Sequence, residues 1–142
     1  MSTRERTGVR DLAYSSWHRA DNLRRLIGLR EAHSCAVIDI DWCEYCNTCK
    51  HPLALIETQR SRSVPKAANV TRCLANLAGL RAYSVSFWMD GDGPMTFRVQ
   101  LIAPEFGPVV DLSEAEYAEL LLNLRTMHDC QSVRHMRIEV AS

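Results

Sequence analysis

The chain has 142 residues, with 17 basic and 17 acidic side chains and 46% hydrophobic content. That length and balance suit one globular domain with a real core and exclude wholesale disorder. A pI near 6.9 excludes a uniformly basic nucleic-acid binder, so any attraction to phosphate must come from how the charge is distributed. No apolar run reaches the roughly 18 residues of a membrane span.

Residues 1–10 are polar and arginine-rich and read as a flexible N-terminus, leaving 11–142 as a single domain. Residues 11–32 look helical, with Asp21 as N-cap and Leu23, Leu26 and Ile27 at helical spacing. Residues 35–45 are rich in β-branched and aromatic types and alternate, as a strand does. A polar turn over 46–51 leads to Pro52 and the run Leu53 to Thr58, its antiparallel partner. Pro65 and Lys66 open a helix to about Ala78, with Val70, Leu74, Leu77 and Ala78 on one apolar stripe and Gly79 as its stop. Strands follow at 82–89 and 95–103, joined by the turn Asp90-Gly91-Asp92-Gly93. Pro104 and Pro108 punctuate a loop. Ser113 and Glu116 then form a capping box before a helix to about Met127, and 133–140 alternates weakly as an edge strand. The order α-β-β-α-β-β-α predicts an α/β (α+β) fold with a mixed sheet of four to five strands and flanking helices.

The most informative feature is a pair of aspartates inside an apolar strand. Asp39 and Asp41 share one face, while Ile38, Ile40 and Trp42 point the other way. With the turn centred near Thr48, they lie opposite Gln59, Glu57 or Leu55. Asp39, Asp41 and Glu57 would then converge. Clustered carboxylates raise one another's pKa, and a divalent cation relieves that; hard oxygen ligands suit Mg²⁺ or Mn²⁺. Simple hydration of a solvent-facing strand side is the competing reading.

Six cysteines stand at 35, 43, 46, 49, 73 and 130. The N-terminus has no apolar segment behind it, so the expectation is a cytoplasmic, reducing compartment in which disulfides are a poor reading. Cys43, Cys46, Cys49 and His51 supply four soft ligands within nine residues. Cys46 and Cys49 are the best-spaced pair for zinc. Cys43 and His51 are candidates to complete the site, and so is a distant residue such as Cys35 or Cys73. Such a zinc would staple the hairpin tip and be structural. Free thiols or a redox pair are the alternatives.

Ile38-Asp39-Ile40-Asp41-Trp42 followed by Leu55-Ile56-Glu57-Thr58-Gln59 resembles the D…(D/E)xK hairpin of the PD-(D/E)XK nuclease-like superfamily. Tyr14 to Arg19, Glu44-Tyr45-Cys46 and Pro52 to Glu57 are similar to segments of small actinobacterial and actinophage proteins. The resemblance covers roughly residues 14–103. It implies a restriction-endonuclease-like fold with Asp41 (or Asp39) and Glu57 as Mg²⁺ or Mn²⁺ ligands. Gln59 stands where that superfamily has lysine. Some members tolerate glutamine there and others take a lysine from the next helix, where Lys66 sits.

Fifteen of the seventeen basic residues are arginine, the side chain that best matches phosphate. Between Glu57 and Asp90 there is no acidic residue, while Arg60, Arg62, Lys66, Arg72 and Arg81 all fall there. Arg60, Arg62 and Arg72 are the candidate nucleic-acid contacts. Residues 105–119 are purely acidic in their charge and form a solvated or partner-binding surface. Trp17 reads as a core or lid aromatic and His18 as a structural histidine, with a general base or phosphate donor as the alternatives. Two functions follow as expectations: metal-dependent phosphodiester hydrolysis, or its degenerate binding form; and a non-catalytic, zinc-stapled accessory protein with a protein partner.

Overall fold

The computed structural model describes residues 13, 16–17, 20, 22–28 and 38–130. The chain divides into two compact units, Met1–Ile38 and Asp39–Ser142. In the first, helix α1 spans Asn22–Ile27, and Asn22 Nδ2 donates to the Trp17 carbonyl at 2.6 Å. Tyr14, His18, Cys35 and the 133–140 segment lie outside the described residues.

The second unit is an α+β fold. Its elements are β1 (Trp42–Tyr45), β2 (Pro52–Arg60), α2 (Asn69–Ala78), β3 (Arg81–Met89), β4 (Met95–Ala103), β5 (Val110–Ser113) and α3 (Glu114–Thr126). The strands form one five-stranded mixed sheet in the order β1-β2-β3-β4-β5. Helix α2 carries the chain over from β2 to the parallel β3, and the other neighbours are antiparallel. β5 was not expected from sequence. It extends the sheet just before the capping box of Ser113 and Glu116, which closes as anticipated.

Period-two alternation gives the sheet two faces. Ala54, Ile56, Tyr83, Val85 and Val99 form one core, covered by Tyr117, Leu120, Leu121 and Leu124 of α3. Leu55, Ala82, Ile102 and Ala103 form the other, against Ala75 of α2 and with Ile40 beside it.

Three local expectations need correction. The first strand begins at Trp42, so Asp39 and Asp41 precede it. The reason is visible on β2: the Thr58 backbone N–H donates to Asp41 Oδ2 at 2.8 Å, so a side chain takes the place of a ladder acceptor. The second helix begins at Asn69 rather than Pro65, because Ala68 adopts the left-handed conformation at φ 48° and breaks any earlier turn. Gly79, at φ 69°, ends it as expected, with the Leu80 N–H reaching the Ala75 carbonyl at 2.8 Å.

The third correction concerns which side of α2 is buried. Thr71 and Ala75 face the sheet at 0% exposure. Val70, Leu74 and Leu77 stand out at 56%, 43% and 83%. Two features select this orientation. Buried Glu57 requires a donor, and Thr71 Oγ1 supplies it at 2.5 Å. Ala75 against Ala82 and Ala103 lets the helix approach closely where a leucine would not fit.

Candidate metal centre

The turn between β1 and β2 is built to gather sulfur. The Cys46 N–H donates to the His51 carbonyl at 2.8 Å, and the Lys50 N–H to the Cys46 carbonyl at 2.7 Å. Lys50 sits at φ 65°, and its Nζ donates to both Asn47 oxygens at 2.7 Å. This closed loop brings Cys46 and Cys49 to one side. The end of α3 meets them there: Arg125 pairs with Glu44 of β1 at 2.9 Å, and the chain then turns through His128 to Cys130.

Cys46, Cys49, His128 and Cys130 thus offer four ligand atoms, all within 4.8 Å of one another. The Cys46 and Cys130 sulfurs are 3.5 Å apart, and Cys49 Sγ is 3.1 Å from His128 Nε2. Tetrahedral zinc holds sulfur and nitrogen ligands about 3.5–3.8 Å from one another, so the group needs only small adjustment. Cys49 is buried and the other three are half-buried.

The electrostatics fit a cation. The Cys49 backbone N–H, with further help from the Cys130 thiol and the Thr48 N–H, pulls Cys46 down to about 6 against the opposing effect of burial. The Cys130 thiol, donating to Cys46, is pushed up to about 11, with burial and the charges of Cys46 and Cys49 adding to this. The cluster thus resists holding several thiolates unless a metal replaces the protons. Three thiolates and an imidazole form a closed structural set for zinc.

The structure draws together only part of the ligand set expected from sequence. Cys46 and Cys49 belong to the cluster. Cys43 lies on β1, exposed, with its thiol directed to the Glu44 carbonyl. His51 stacks on His128 with ring centroids 5.4 Å apart and planes 4° from parallel. Cys73 is exposed on α2. Sequence reasoning missed His128 and Cys130. Their signal was an H-x-C triplet just past a helix end, readable only if that end returns to the hairpin.

The carboxylates form a separate group on the α2 side of the sheet. Asp41 Oδ2 accepts from the Thr58 N–H and, at 3.2 Å, from Thr58 Oγ1. Glu57 is 3% exposed, bonded to Thr71 and 3.9 Å from Lys66 Nζ. Burial raises the Glu57 pKa first; Thr71 lowers it, the Asp41 charge raises it and Lys66 lowers it. Asp41 and Glu57 are therefore neighbours. Asp39 is exposed two residues earlier. Ser84, level with Glu57 on β3, has a buried hydroxyl with no partner among the described residues. Gln59 is an anchor: its Nε2 donates to Ser86 Oγ at 2.9 Å and to the Val64 carbonyl at 3.2 Å.

Two of the four arginines of the basic stretch, Arg62 and Arg72, are engaged by other side chains. Arg62 pairs with Asp90 and lies over Trp88. Arg72 lies over Phe106 at 4.9 Å. Beyond that stretch, Arg98 of β4 grips Asp111 through two bonds of 2.7 and 3.0 Å. Arg60 is exposed at the end of β2. On the opposite face a groove of about 320 Å³, lined by Trp42, Ile56, Phe87, Phe97, Tyr117 and Leu121, contains none of the candidate catalytic, metal-binding or nucleic-acid-binding residues. Among the described residues no helix is long and apolar enough to cross a membrane. Comparison with family models, with curated proteins and with solved structures finds no match to this chain.

Proposed function

We propose that the chain is a zinc-stapled accessory domain that acts by binding a protein partner. One observation carries this: four ligand atoms of the right chemistry, from two elements some 80 residues apart in sequence, lie within 4.8 Å. A Cys₃His set fills all four positions of tetrahedral zinc and leaves none open for substrate, so the metal holds structure and performs no chemistry. The partner reading is supported by Val70, Leu74 and Leu77, an apolar stripe turned to solvent on α2. Metal analysis of the purified chain tests the staple. One zinc per chain is expected, and no zinc even after reconstitution under reducing conditions overturns it.

A second reading, a PD-(D/E)XK-like nucleic-acid enzyme or binder, is favoured by the adjacency of Asp41 and Glu57 with Lys66 at 3.9 Å. The buried Ser84 hydroxyl beside them, without a partner among the described residues, adds support for a bound cation. A Mg²⁺ or Mn²⁺ ion there would polarise a phosphodiester and acidify an attacking water. Lys66 would supply the charge that Gln59 lacks. The engagement of Arg62 and Arg98 with aspartates leaves Arg60 as the readiest phosphate contact. Plasmid and single-stranded DNA are incubated with Mn²⁺ or Mg²⁺. Cleavage by the wild type that is lost in Glu57→Ala is expected; no cleavage with either metal rejects the enzymatic form.

A further inference from the structure

We infer that the zinc staple is a peroxide-sensitive clasp, opened when a hydroperoxide joins Cys46 to Cys130 and expels the metal. This rests on the zinc reading above and adds regulation to it. The four ligands are not equivalent. Cys49 is 7% exposed, and its sulfur already faces His128 Nε2 at 3.1 Å. Cys46 and Cys130 are both half-buried, within reach of a small oxidant, and their sulfurs are 3.5 Å apart. They need approach by only roughly 1.5 Å to bond. They also come from opposite sides of the junction, one from the β1–β2 turn and the other from beyond α3. Their union therefore keeps the two elements joined while halving the ligand set.

The chemistry balances with a hydroperoxide as the oxidant. Cys46 Sγ attacks its terminal oxygen, and the O–O bond breaks. The departing alkoxide or hydroxide takes a proton from solvent, leaving Cys46 as a sulfenic acid. Cys130 Sγ then attacks the Cys46 sulfur. The S–S bond forms, the S–O bond breaks, and hydroxide leaves with a second solvent proton as water. Two thiolates are oxidised by two electrons in all, and the peroxide is reduced. Cys49 and His128 remain, too few ligands to hold zinc.

The test uses the zinc-loaded full chain treated with hydrogen peroxide. Released zinc is read with a chromogenic chelator, thiols are counted after denaturation, and disulfides are located by peptide mapping. The expected result is loss of two thiols for each zinc released and a Cys46–Cys130 linkage. Reduction with dithiothreitol should restore binding of one zinc per chain. A Cys43→Ser/Cys73→Ser variant, which removes the two exposed thiols that lie outside the cluster among the described residues, should behave identically. Zinc retained through peroxide, release with Cys46 joined to Cys49, or release through irreversible oxyacids overturns the clasp and leaves the staple standing. A chain that takes up no zinc overturns both.

Discussion

Cys130 and Cys43 make the sharpest contrast among single residues. Cys130 is a member of the four-ligand group, whereas Cys43 points away along β1. Replacing a zinc thiolate removes a quarter of the coordination shell. Cys130→Ala should therefore abolish stoichiometric zinc and Cys43→Ala should leave it unchanged, as read by metal analysis after dialysis. Glu57 offers a different test. Burial is the largest influence on it and raises its pKa, so its folded value stands above its unfolded one. The folded state then binds the proton more tightly. That contribution is fully present below the ordinary glutamate range and is lost as pH rises through the raised value. Glu57→Gln keeps an acceptor for Thr71 and removes the charge. Compared with this variant, the wild type should lose stability as pH climbs above about 4.5, measured as urea midpoints across a pH series. A flat difference would contradict the raised value.

At the level of elements, α2 gathers most of what the sequence concealed. Its apolar periodicity named the wrong stripe, because periodicity records where leucines fall and not what the sheet beneath requires. Buried Glu57 selects Thr71, and the alanine-lined surface of β3 and β4 selects Ala75. Leu77, at 83% exposure, should tolerate change to alanine within about 0.5 kcal/mol. Ala75→Leu should cost about 1–3 kcal/mol by overpacking. Thr71→Val keeps the shape but strands a buried carboxylate oxygen, at about 1–3 kcal/mol. Chemical denaturation measures all three. The hairpin, the third and fourth strands, the Gly79 stop and the α3 capping box were legible because each is encoded within a few residues. The α3 cap can itself be checked: Ser113→Ala should cost about 1 kcal/mol. Strand β5 and the candidate metal ligands from beyond α3 were not legible, since both depend on pairing across long separations. Asp39 and Asp41 read as strand residues because alternation does not reveal that an aspartate side chain can stand in for a backbone acceptor.

At the scale of the molecule, three ion pairs among the described residues tie separate elements together. Glu44 with Arg125, Arg62 with Asp90 and Arg98 with Asp111 each join residues distant in sequence. Three of the described arginines are thus engaged in links within the folded unit. The candidate metal ligands also join distant parts of the chain. Cys46 and Cys130 are 84 residues apart, and the segment they bracket contains β2, α2, β3, β4, β5 and α3. Joining its ends turns most of the folding unit into a closed ring. A linear chain can unravel from its last helix inward, whereas a ring cannot shed α3 without first opening the knot. In amide hydrogen exchange, the α3 amides of the metal-free protein should exchange through local fraying, with little denaturant dependence. With zinc bound they should exchange only with the core strands, through one cooperative opening.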